Sequence, residues 1–127
     1  MRLKTWLTIT AVIATTNGVS YLLAPATTMS AFSFEANETG LLMARYFGAS
    51  TFGVAVLAWL ARRIVAPDAK RLVVVALFLT FLLYAAVDLV GVLSQVMNAL
   101  GWLFVATDLV LAAGYGYWLF AQVRSSS

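Results

Sequence analysis

From Gly40 to Arg63 the chain reads GLLMARYFGASTFGVAVLAWLARR, apolar over the length a bilayer core requires and closed by two arginines. A further arginine, Arg45, lies inside that run. A cation at mid-membrane costs about 2.5–3.5 kcal/mol on insertion-derived scales, and less near an edge, so partners are expected for it. Asp88 and Asp108 are the only carboxylates within the other apolar runs.

Of 127 residues, 63% are hydrophobic and 10% charged, whereas soluble domains carry roughly a quarter of charged residues. The pattern predicts an all-α integral membrane protein, a single domain built as an antiparallel four-helix transmembrane bundle. Spans are expected over residues 5–24, 40–61, 72–95 and 102–120, with residues 25–39 as an interfacial segment containing one or two helical turns. A basic start followed by an apolar run also describes a cleaved leader, but a run of about 20 residues suits a span better. With no cysteine and no histidine, the chain lacks a thiolate nucleophile, an imidazole base and the usual zinc and haem ligands. No catalytic residue, metal or other cofactor is therefore expected.

Net charge is +3, yet the basic residues flank apolar runs as a topology signal does, so nucleic acid is not the expected partner. Arg2, Lys4, Arg62, Arg63, Lys70, Arg71 and Arg124 fall on the side shared by both termini and the middle connection, and Glu35 and Glu38 on the other. The positive-inside rule then predicts an inner (cytoplasmic) membrane protein with both termini cytoplasmic. Trp6, Trp59 and Trp118 near one boundary and Trp102 near the other suit an aromatic belt, and Tyr115-Gly-Tyr117-Trp118 reads as interface anchoring. Asn37-Glu-Thr39 matches a glycosylation sequon but abuts a span, which argues against its use.

At about 1.5 Å per residue, Arg45 lies roughly 7 Å below the outer boundary and Asp108 roughly 10 Å. Asp88 reaches nearly the same layer from the opposite direction, and Tyr21 and Asn17 join it from the first span. Asn17, Arg45, Asp88 and Asp108 are thus expected to ring an outward-side polar pocket, with Tyr21 and Tyr84 beside them. Arg45 could bridge the acids and merely fix packing, which makes the protein an accessory or scaffold. Two acids and one base instead leave an imbalance that a proton, a cation or a cationic or lipidic ligand would correct, which makes it a binder or transporter. Acid–base chemistry on a lipid is a third, weaker reading, since no nucleophile or phosphate loop accompanies the acids. Gly48, Ala49 and Gly53 in span two, and Ala112 and Gly116 in span four, are expected at close helix contacts, within the bundle, with another membrane protein or in self-association.

The basic start, Asn17 before Leu22-Leu-Ala-Pro25, Arg45-Tyr-Phe-Gly48 and Asn98-Ala-Leu-Gly-Trp102 resemble small bacterial four-span membrane proteins, DoxX-like in general look. The likeness covers nearly the whole chain through short motifs. It implies a four-helix inner-membrane protein and supplies no reaction. Small multidrug resistance transporters are of similar length but resemble the chain less, because their acid lies in the first span.

The orientation is open to a direct check. Reporter fusions after Arg63 and after Ser127 are expected to report cytoplasm, and a fusion at Ala36 the opposite side. A cytoplasmic Ala36 would reverse the topology.

Overall fold

The computed structural model describes residues 2–126, and every element in it is helical: α1 (Leu3–Leu23), α2 (Pro25–Ala31), α3 (Glu38–Ala61), α4 (Pro67–Leu93) and α5 (Gly101–Ser126). Four of these are long and apolar enough to cross a membrane. Local chemistry explains their limits. Pro25 lacks an N–H and suits a first helical turn, so it closes α1 and opens α2. Asn37 caps α3, its side-chain oxygen accepting from the Gly40 N–H at 2.7 Å. α4 starts at Pro67 with Asp68 in its first turn, both helix-start signals, so it begins ahead of the apolar run expected from residue 72. α5 likewise continues past residue 120 through Arg124.

Polar side chains within the long helices mostly satisfy themselves. The hydroxyls of Thr8, Thr16 and Ser20 donate to the carbonyls of Lys4, Val12 and Thr16, four residues back. Such bonds matter where no water competes. Large apolar side chains such as Leu72, Leu83, Val90 and Leu93 point outward, as a lipid-facing surface requires.

The long helices associate in pairs. α1 packs along α3 and α4 along α5, while α3 and α4 barely touch. The termini end is the solid part of the molecule. There Leu7, Ala58, Val74, Leu77, Phe81 and Leu111 form one buried cluster. Tyr115 belongs to the same cluster, its hydroxyl 2.5 Å from that of Thr10, and Trp6 Nε1 donates to the Leu111 carbonyl at 3.1 Å. These bonds tie α1 to α5. Tyr115 is therefore a core residue rather than the interface anchor expected from its neighbours; Tyr117 is the exposed one.

α1 and α3 approach so closely that a Cβ on Gly18 would lie 2.9 Å from the Gly48 carbonyl oxygen and 2.8 Å from the Phe52 nitrogen. A Cβ on Gly48 would lie 2.8 Å from the Gly18 carbonyl oxygen. Gly48 thus occupies the close contact expected of it, and Ala112 is buried. Gly116 is half-buried against Phe78. Ala49 and Gly53 do not pack: both are exposed, and a Cβ on Gly53 meets nothing within 4 Å. The reason is angular. The face of α3 turned inward is Ala44, Gly48, Thr51, Ala55 and Ala58, and the small pair lies around the cylinder from it.

Gly18→Val or Gly48→Val is therefore expected to destabilise the protein by about 1–3 kcal/mol, since backbone must move to admit the side chain. Gly53→Ala is expected to leave stability unchanged or raised. Thermal unfolding in detergent distinguishes them.

Candidate functional site

Where the lower half is solid, the half away from the termini is hollow. A cavity of about 480 Å³ lies between the two helix pairs. α1 contributes Asn17 and Tyr21, α3 Ala44, Phe47 and Thr51, α4 Tyr84 and Asp88, and α5 Phe104 and Asp108. The volume falls within the range of small-molecule pockets, about 300–1,000 Å³.

The roof is built from the two connections at this end. Met29 and Phe34 come from the segment around α2, and Met97 from the turn between α4 and α5. Asn98 fastens them together: its Nδ2 donates to the Ala31 carbonyl at 2.9 Å and to Ser33 Oγ at 3.1 Å, and its backbone N–H to the Phe32 carbonyl at 3.2 Å. Phe32 stacks on Phe104 at 4.4 Å between ring centroids. Two residues in left-handed backbone, Ser33 (φ 64°) and Gln95 (φ 62°), turn the chain on either side of this clasp.

The side wall is thinner. Met43 and Phe47 of α3 and Val87 of α4 line the cavity yet are exposed on the helix surface, Val87 by 70%. They form a rim that faces outward between α3 and α4. The Phe47 ring spans the gap, edge-on to Tyr21 at 5.0 Å and to Tyr84 at 5.8 Å.

Asp88 on α4 and Asp108 on α5 both line the cavity, near enough for their carboxyl groups to interact. Tyr21 is near enough to feel the charge of Asp88. Both acids are half-buried rather than enclosed, and among the described residues no charged side chain is fully buried.

Of the residues that depth placed in one layer, Asn17, Tyr21, Tyr84, Asp88 and Asp108 line the cavity and Arg45 does not. Arg45 is exposed on the outside of α3, so the expected Arg-Asp-Asp network does not form. Ala44 is buried in the bundle, and the next residue lies about 100° further round the helix. A guanidinium so near the end of a span can extend its stem to the boundary, which lowers the cost of leaving it on the lipid side.

Sequence reasoning missed Thr51. It lines the cavity, is only 4% exposed, and its hydroxyl has no hydrogen-bond partner. Thr10, Thr80 and Thr107 show the ordinary arrangement, each bonding a carbonyl four residues earlier. An orphaned hydroxyl in an apolar wall costs about 1–3 kcal/mol, and nothing in the sequence distinguishes this threonine from the others. Asn98 was visible only as part of a short motif, not as the clasp of the roof.

Comparison with protein-family models, with curated proteins and with solved structures returns no match to this chain.

Proposed function

We propose that the chain is a multi-pass membrane protein that binds an apolar small molecule bearing a hydrogen-bonding or cationic end, in the cavity between its two helix pairs. The observation that carries this reading is a mainly apolar cavity of about 480 Å³ whose lining also includes Asn17, Asp88 and Asp108. A ligand whose polar end reaches Asn17 and the two acids would be held there, and its tail would fill the apolar remainder. The rim of Met43, Phe47 and Val87 gives such a ligand a route from the bilayer, with Phe47 as the gate. The alternative scaffold role drew its support from a closed network through Arg45. The open cavity and the position of Arg45 favour binding instead. Placement in an inner membrane with both termini cytoplasmic follows from the basic flanks and belongs to the same proposal.

The test uses purified protein in detergent and three single-chain probes of equal length: an alkylamine, an alcohol and a fatty acid. The amine and the alcohol are expected to raise the unfolding temperature, since ligand at 100 times Kd contributes about 2.7 kcal/mol, and the fatty acid is expected to have little effect. Asn17→Leu removes the amide from the wall, and Asp108→Asn removes one acid. Each is expected to weaken the response by about tenfold in Kd, or 1.4 kcal/mol. Equal responses to all three probes, unaltered by either substitution, would count against the cavity as the site.

A further inference from the structure

The opposite end of the molecule holds a second, smaller site. Lys4 from the first turn of α1, Trp59 from the last turns of α3, and Arg62 and Arg63 from the turn after it surround a recess of about 240 Å³. Among the described residues its lining carries three cations and no carboxylate. The guanidinium of Arg62 lies over the Trp59 ring, 4.1 Å from the centroid. Stacking of this kind uses the face of the guanidinium and leaves its N–H groups in plane for an acceptor. One of them is already stranded: Arg62 Nε is buried and has no hydrogen-bond partner. An anion in the recess would instead meet the charges of Lys4, Arg62 and Arg63 together.

The position narrows the class of anion. Lys4 opens one apolar helix and Arg62 and Arg63 close another, so the recess lies where a bilayer's polar headgroups meet its hydrocarbon. Trp59 is a residue type that settles at that depth. Basic recesses between membrane helices at such a boundary suit phosphorylated headgroups, whose oxygens match the guanidinium fork.

We infer that Lys4, Arg62 and Arg63, seated on Trp59, form a binding site for a phosphate group, supplied by an acidic phospholipid or by free phosphate. The site is separate from the cavity of the proposed function and does not rest on it.

Native mass spectrometry of the whole chain in detergent tests this with dioleoylphosphatidylglycerol, dioleoylphosphatidylcholine and inorganic phosphate as probes. The wild type is expected to retain phosphatidylglycerol over phosphatidylcholine by about tenfold. Arg62→Gln is expected to abolish that preference. A Lys70→Gln and Arg71→Gln double variant, which removes twice as much charge from the same end but outside the recess, is expected to keep it. If Arg62→Gln fails to fold, a Lys4→Gln and Arg63→Gln double variant replaces it, since both side chains are exposed. Preference that millimolar phosphate does not displace identifies a lipid headgroup. Preference that phosphate displaces, with phosphate alone raising the unfolding temperature, identifies the free anion at the same site. Equal retention of both lipids overturns the proposal. So does a preference that survives Arg62→Gln, or one that the Lys70 and Arg71 control loses equally.

Discussion

The contact of Gly18 with Gly48 governs the rest of the molecule. It draws α1 onto α3 until backbone meets backbone, and α4 and α5 form their own pair beside it. Two tightly joined pairs can be packed against each other along their whole length or only at one end. Here the seam is filled at the termini end by Leu7, Leu77, Phe81 and Tyr115 and left hollow at the other. The Thr10–Tyr115 and Trp6–Leu111 hydrogen bonds hold the pairs together below the hollow, and the Asn98 clasp holds the connections above it. A cavity braced at both ends persists without a helix collapsing into it.

Its chemistry follows from what the wall must accommodate. A mainly apolar lining that also carries Asn17, Glu35, Asp88 and Asp108 is poorly suited to hydrocarbon alone and poorly suited to water alone. It suits a molecule that is apolar along most of its length and polar at one end. The proposed lateral access past Phe47 and the proposed phosphate site at the far boundary are compatible, since both would draw on the bilayer if the phosphate belongs to a lipid.

Much of this was legible in the chain, for a definite reason. Four long apolar runs can be recognised from length and hydropathy, because a bilayer demands both. Depth could be counted as well, at a fixed rise per residue, and it placed Tyr21, Asp88 and Asp108 in one layer with Asn17 about one turn deeper. Azimuth was the failure. Arg45 stands at nearly the same height as the acids but on the wrong side of α3, and the neighbouring Ala44 was the residue that faced inward. The pair Ala49 and Gly53 failed for the same reason, since small-residue spacing fixes a stripe but not the direction it faces. Thr51 and Arg62 became conspicuous only through the absence of a partner, which is a property of the fold and has no sequence signature.

The central claim is that Asp88 and Asp108 face each other on the cavity wall while Arg45 stands apart. Double-mutant cycles on unfolding free energy in detergent test it directly, with Asp88→Asn, Asp108→Asn and Arg45→Gln singly and in pairs. The two aspartates are expected to couple by about 0.5–3 kcal/mol, and Arg45 to be additive with either acid within about 0.5 kcal/mol. Additive aspartates, or an Arg45 that couples to one of them, would contradict this arrangement of the site.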